Sequence, residues 1–267
     1  MLAIPALVIL LCSMLVVSVI FAMLGQGGGA LYTPLQIYLG VDFHTAATTS
    51  LFLIMITSLS ATIVYRKAHK VDWPLAVILE SVTAIGGLLG GLFSGKLSGA
   101  MLSVIFAIVI ITAAVFMIHK FEAKWDTRNP SGGWGLWKRE FANHAYSINL
   151  VVALPASFVV GATSGLVGVG GGILNVPLMV LLLGVPIDIA IGSSAFMVGV
   201  TAAGGFTGHL LSGHWDWRVS LILAAAVFIG GQIGARKSIT IDKDKLHAAF
   251  GWFLLAIAVS MILKAVL

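Results

Sequence analysis

The sequence predicts an all-α polytopic membrane protein made of two repeats. Each repeat has about four long transmembrane helices and one short helix broken by glycines. Three observations carry this expectation. Of 267 residues only 9% are charged, 15 Lys and Arg with 10 Asp and Glu, where a soluble chain devotes about a quarter. Hydrophobic residues make up 59%, with a mean hydropathy of +1.07. Long uncharged apolar runs find a suitable solvent only in a bilayer. Third, the chain repeats itself at a nearly constant offset. Composition alone excludes a soluble enzyme.

The uncharged runs fall at residues 2–24, 43–65, 75–94, 97–118, 147–183, 189–213, 219–235 and 248–263. Most are near the roughly 20 helical residues a bilayer requires. The first has no basic flank and exceeds the roughly 7–15 apolar residues of a signal peptide core, so it is expected to be a membrane helix. It holds the single cysteine, Cys12, which leaves no partner for a disulfide and no thiolate cluster for a metal. Glu80 is the one formal charge well inside a run. Asp42 and Asp188 stand at boundaries, where water or headgroups reach.

Shifting the sequence by 143 places brings Gly25-Gln26-Gly27-Gly28-Gly29-Ala30-Leu31-Tyr32-Thr33-Pro34-Leu35 onto Gly168-Val169-Gly170-Gly171-Gly172-Ile173-Leu174-Asn175-Val176-Pro177-Leu178. From Gly40 the offset becomes 144. It then matches Gly40-Val41 with Gly184-Val185, Thr49-Ser50 with Ser193-Ser194, and Asp72-Trp73 with Asp216-Trp217. The expected organisation is a first transmembrane repeat over 1–120, a polar interfacial linker over 121–145 and a second repeat over 146–267. The linker interleaves Trp125, Trp134 and Trp137 with Lys124, Arg128, Lys138 and Arg139 around the turn-forming stretch 129–133. That composition suits a segment resting on the membrane surface.

Whether the repeats run parallel or inverted depends on whether the Gly-rich segments cross the membrane. If they re-enter, the 15 basic residues divide ten to five between the two sides. If they cross, twelve collect on one face, leaving Lys96, Arg218 and Lys264 on the other. The second division fits the positive-inside rule better and turns both termini outward. A half-extended, half-helical pass reaches roughly 30 Å, just the hydrocarbon thickness. The balance favours inverted repeats.

Three consecutive glycines before a proline should unwind the chain locally. In hydrocarbon, unwound backbone is tolerated only where it is buried in protein or lines a cavity. Gly27, Gly28 and Gly29, with Gly170, Gly171 and Gly172, are therefore expected to bring two half-helix N-termini to mid-membrane. Their free N–H groups could hold an anion without Arg or Lys. The glycines near 86–91 and 230–234 are expected instead to let helices pack closely. Thr48, Thr49 and Ser50, and their counterparts Ser193 and Ser194, could donate to an anion or bond back to their own helix. Asn175, Thr33, Gln26, Thr163 and Ser164 have donors of the right kind but weaker positional support. Glu80, whose place in the second half is taken by Ala224, is the candidate carrier of a coupled proton, because a carboxylate inside a span is costly. The seven His are scattered at span ends and form no ligand cluster, so neither a metal nor a cofactor is expected.

The duplicated Gly-x-Gly-Gly-Gly-x-x-x-x-Pro, each copy followed by a Thr/Ser patch, resembles the sulfite exporter TauE/SafE family of membrane permeases. The resemblance covers nearly the whole chain apart from the central linker. It implies a transporter of small sulfur-containing anions (sulfite, an organosulfonate or thiosulfate) in the cytoplasmic membrane. Gln26, where the second motif has Val169, and Thr48, where a Gly would match the second half, depart from a strictly symmetric site.

The leading expectation is a secondary carrier working by alternate exposure of a midplane site. At about 100 mV, inside negative, exporting one negative charge gains roughly 2.3 kcal/mol, so export needs no coupling ion whereas uptake does. An anion channel is the alternative. An intramembrane hydrolase built on Ser164 and His209 fits poorly, because Ala162 stands where a Gly-x-Ser-Gly motif needs glycine. The expected partners are the small anion and the lipid bilayer, with no nucleic acid; a homodimer stays open, with no motif to support it.

Overall fold

The structure, a computed structural model, describes residues 4–118, 135–211, 213, 215–240, 255 and 259. Most of the last apolar run, the linker up to residue 134 with Trp125 and Trp134, and His119, His214 and His247 lie outside the described residues. Elements follow in the order α1 (Ile4–Met23), α2 (Gly29–Tyr38), α3 (Phe43–Lys67), α4 (Trp73–Ser94), α5 (Gly99–Ile118), β1 (Leu136–Phe141), β2 (His144–Asn149), α6 (Leu150–Val167), α7 (Gly172–Pro177), α8 (Ile187–Leu211) and α9 (Trp217–Ser238). A π turn, Leu178–Leu182, continues α7. Five of these helices (α3, α4, α6, α8 and α9) are long and apolar enough to cross a membrane, and α1 and α5 contribute shorter described apolar runs.

The polar residues at the span ends set the boundaries. Asp42 accepts from Thr45 N, Asp72 from Leu75 N, and Asp216 from Arg218 N and Val219 N, so carboxylates satisfy otherwise orphaned donors at the starts of α3, α4 and α9. Asn149 does the same for α6 through Val151 N. Lys70 and Asp188 pair at 3.0 Å between the α3–α4 loop and the first turn of α8.

α4 lies between α6 and α8, α1 packs along α9, and α3 packs against both α8 and α9. Small residues permit this closeness, as the sequence predicts. A Cβ on Gly90 would stand 2.1 Å from the Ala162 carbonyl oxygen of α6, and one on Gly91 2.6 Å from that of Gly205 on α8. Gly234 meets the Val19 carbonyl of α1 in the same way, at 2.0 Å. The outward faces expose Val8, Ile9, Ile108, Val159, Leu221 and Ile229, the apolar surface a bilayer covers.

Two features were not expected. The end of the linker is a β-hairpin that extends into the next apolar run, with Leu136 opposite Asn149 and Phe141 opposite His144. Ala142 and Asn143, at φ 49° and 64°, form its two-residue left-handed turn, whose twist matches antiparallel strands. Its sequence signal is period two: Tyr146 and Ile148 are buried, while Ser147 between them is partly exposed and Ala145 before them is exposed. The other feature is the π turn after Pro177, at a place where the first half continues as regular helix.

Candidate functional site

Between α1 and α2 the chain passes through Gly25, Gly27 and Gly28 at φ 67°, 72° and 96°. Between α6 and α7 it passes through Gly168, Gly170 and Gly171 at φ 77°, 73° and 80°. All six are left-handed, a conformation open to glycine and costly for L side chains. Gly28 and Gly171 cap α2 and α7 without any side-chain hydrogen bond. The first N–H groups of each helix therefore have no intrahelical acceptor and stand at its positive end.

The two turns interlock. A Cβ on Gly29 would lie 2.1 Å from the Val169 carbonyl oxygen, and one on Gly172 would lie 2.2 Å from that of Gln26. Gly27 and Gly170 both pack on Ile54 of α3. Only glycine lets the two backbones approach this closely.

Their surroundings differ chemically. At the second turn Asn175 is fully buried, and neither amide atom has a hydrogen-bond partner among the described residues. A Cβ placed on Gly171 would be 3.3 Å from Asn175 Nδ2 and 3.6 Å from Thr201 Oγ1. Thr201 donates to Glu80 Oε1 at 2.7 Å, while Glu80 Oε2 is buried with no partner among the described residues. At the first turn Tyr32 takes the place of Asn175. Its hydroxyl meets Thr57 Oγ1 at 2.9 Å, and Thr57 gives its own proton to the Leu53 carbonyl. The Tyr32 hydroxyl is thus satisfied, but Gln26 Oε1 in the first turn and Ser58 Oγ beside Gly27 are buried with no partner among the described residues. Both turns therefore leave polar atoms open, and only the second adds an unpaired carboxamide and a carboxylate oxygen. Among the described residues no cluster of three His, Cys, Asp or Glu could hold a metal.

The Thr/Ser patches lie at the starts of α3 and α8. Thr48 donates to the His44 carbonyl of its own helix at 2.7 Å. Ser50 accepts from Gln36 Nε2 at 3.0 Å, and Ser193 accepts from Asp72 N at 3.0 Å. Thr49 Oγ1 lies 3.4 Å from Ser220 Oγ and lines a cavity of about 350 Å³ with Gln36, Gly40, Val41, Thr45, Asp216 and Val219. Two of the candidate hydroxyls reach the glycine turns: Ser194 donates to the Gly25 carbonyl at 2.9 Å and Thr33 to that of Gly168 at 3.5 Å. Thr163 donates to the Val159 carbonyl. Ser164 Oγ has no partner among the described residues, and His209 Nε2 stands 2.9 Å from the Gly165 carbonyl oxygen.

Gly27, Gly28, Gly29, Gly170, Gly171, Gly172, Asn175 and Glu80 thus converge, together with three residues that sequence reasoning passed over: Tyr32, Thr57 and Thr201. The offset of 144 that relates Thr57 to Thr201 was the signal that could have found them.

The sulfite exporter TauE/SafE family matches residues 9–261 of the chain. The probable membrane transporter protein YunE of Bacillus subtilis (strain 168) is 30% identical over 237 residues, spanning 85% of this chain and 87% of its own length. A probable membrane transporter protein of Xylella fastidiosa (strain 9a5c) is 25% identical over 252 residues, 91% and 90% of the two chains. The probable membrane transporter protein MJ0441 of Methanocaldococcus jannaschii is 22% identical over 247 residues, 83% and 82%. No solved structure matches the chain significantly. With its apolar spanning helices and these relatives, the chain belongs to the sulfite exporter TauE/SafE family and is a multi-pass membrane transporter rather than an enzyme.

Proposed function

We propose that this transporter is a secondary carrier of a small sulfur-containing anion, sulfite, an organosulfonate or thiosulfate, across the cytoplasmic membrane. The site is the interlocked pair of glycine turns, alternately exposed to the two sides. The observation that carries this reading is the buried polar surplus at the second turn: an unpaired carboxamide on Asn175 beside a left-handed helix start. Unpaired buried polar groups cost about 1–3 kcal/mol each. Such a cost at a helix start suits a place that a polar ligand fills. The buried state of Asn175, Thr201 and Glu80 suits an occluded carrier better than an open anion channel.

The repeats are inverted in this proposal. Reciprocal packing of Gly29 on Val169 and Gly172 on Gln26 fits a two-fold relation between the halves. Inversion is supported by the antiparallel course of the corresponding helices α3 and α8. Asp216, which follows α8, lines a cavity with Thr49 near the start of α3, and Asp72, which follows α3, meets Ser193 near the start of α8. Both termini then face outward, and the Arg66, Lys67 and Lys70 face is cytoplasmic. Glu80 breaks the symmetry between the halves and is the group whose charge could couple uptake to a proton.

Counterflow of radiolabelled sulfite and of a simple sulfonate in proteoliposomes, without an ion gradient, tests the carrier. Counterflow that Glu80→Gln leaves in place but frees from its pH dependence supports the coupling role. Folded protein that exchanges neither anion would sink the sulfur-anion assignment.

A further inference from the structure

The offset that relates the two glycine turns also relates two places at opposite ends of α3, and the structure fills them differently. Thr45 and Thr49 stand in the first two turns of α3, whereas Asp72 follows its far end. The helix that separates them ends at Lys67, which puts these places roughly 30 Å apart along its axis. At the near end, Gln36, Val41, Thr45, Thr49, Asp216 and Val219 line an open cavity of about 350 Å³. The residues at corresponding positions are Met179, Val185, Ile189, Ser193, Asp72 and Leu75. Every one of them is buried, none more than 2% exposed, while Asp216 is exposed and Val41, Thr45 and Val219 are partly so.

The hairpin makes the difference. Tyr146 and Ile148 sit in one apolar cluster with Leu75, Met179, Val185 and Ile189. Its attachment is polar: Arg139 donates to both carboxylate oxygens of Asp72, at 2.5 and 3.2 Å, and the Tyr146 hydroxyl donates to Oδ2 at 2.5 Å. Asp216, the counterpart of Asp72, accepts among the described residues from its own helix start, through Arg218 N and Val219 N, and is exposed at the open cavity. We propose that the hairpin Leu136–Asn149 is the gate on one side of the carrier, a plug seated where the opposite side has an open vestibule, latched through Arg139 and Tyr146 onto Asp72. The inference rests on the carrier reading above.

The chemistry permits the latch to open. A buried carboxylate that loses its cation is destabilised unless something replaces it. When the plug leaves, the vestibule it vacates admits water to Asp72, as the other vestibule does to Asp216. The movement also bears on the site, because Asp72 N is held by Ser193 Oγ, and the adjacent Ser194 holds the Gly25 carbonyl of the first glycine turn. Gate and glycine turn thus share one short stretch of α8.

Labelling with a water-soluble maleimide tests this in a Cys12→Ala background, which removes the chain's one native thiol. Single Val41→Cys and Val185→Cys proteins report the open and the plugged place. The Val41→Cys protein should label about tenfold faster or more. Adding Arg139→Ala should speed Val185→Cys labelling by about tenfold, the loss expected from a charge-assisted hydrogen bond. Tyr146→Phe, which removes one hydroxyl and little else, should speed it by about threefold and serves if the Arg139→Ala protein does not fold. Equal labelling at the two positions, or protection of Val185→Cys that survives the variants in folded protein, overturns the gate. The labelling needs no substrate, so the two proposals fail separately. Surviving protection with intact counterflow removes the gate alone, and gated labelling without counterflow removes the anion assignment alone.

Discussion

Gly29→Ala sets two effects against each other. Gly29 is the first residue of α2 and has an ordinary helical φ, so helix propensity alone predicts stabilisation by up to about 1 kcal/mol. The interlock predicts the reverse. The new Cβ would stand 2.1 Å from the Val169 carbonyl oxygen and must withdraw to at least 3.0 Å, a shift of about 0.9 Å against backbone rather than a flexible side chain. Overpacking of that kind costs about 1–3 kcal/mol, toward the upper end where backbone must move. The net expectation is a loss of about 1–2 kcal/mol and a fall in counterflow of about tenfold or more as the turns separate. Gly40→Ala is the control, because Gly40 is left-handed at φ 85° but a Cβ there would meet nothing within 4 Å. It should lose about 1 kcal/mol from backbone strain and keep its counterflow within about twofold. Thermal unfolding of the purified proteins followed by tryptophan fluorescence, alongside proteoliposome counterflow, gives both readouts. A Gly29→Ala protein as stable and as active as the wild type would refute the interlock.

Three further outcomes are expected. Asn175→Leu should raise the thermal midpoint, since it removes two unpaired buried polar atoms worth about 1–3 kcal/mol, while abolishing counterflow; lower stability together with normal transport would count against a ligand at Asn175. Thr48→Val should leave counterflow within about twofold because, among the described residues, the hydroxyl bonds back to its own helix. Ser194→Ala should cost about 1 kcal/mol through the lost bond to Gly25, and paired counterflow and unfolding measurements on these two variants check the contrast. At Tyr146, burial and then the hydrogen bond to Asp72 both push the phenol above the usual tyrosine range. Its contribution to stability is therefore fully present below about pH 10 and is lost only as pH climbs through the raised folded value. A phenolate absorbance titration of wild type against Tyr146→Phe should find no ordinary tyrosine at this position.

The spans were legible because uncharged length is a strong signal in a chain with so few charges. The run 43–65 became Phe43–Lys67, and 97–118 became Gly99–Ile118. The glycine turns were legible for a related reason: triple glycine followed by proline, appearing twice at one offset, has few structural uses inside a bilayer. The hairpin was hidden because its apolar strand, His144–Asn149, merges in sequence with the apolar start of α6. A period-two pattern of six residues is easily lost beside eighteen helical ones. Thr201 and Thr57 were hidden because single hydroxyls in long apolar helices usually bond back to their own turn, as Thr48, Thr62 and Thr83 do. Only the third dimension separates Thr201, which turns toward Glu80 instead. The interlock of Gly29 with Val169 was beyond sequence reasoning altogether, since the offset relates residues that correspond and is silent about which residues touch.

The π turn at Leu178–Leu182 keeps the helix in phase despite a difference in length. From left-handed Gly28 to left-handed Gly40 the chain takes 12 steps, and from Gly171 to Gly184 it takes 13. A single residue added to a regular helix turns everything downstream by about 100°. Here that rotation would turn the end of the segment, with buried Leu183 and Val185, away from the apolar cluster they share with Met179 and Leu178. The wider i→i+5 ring, closed by Leu183 N on the Leu178 carbonyl, takes up the surplus residue on the spot, ahead of the left-handed Gly184 and the loop to α8. A one-codon change in length, ordinarily ruinous in the middle of a membrane span, is confined to one loose turn.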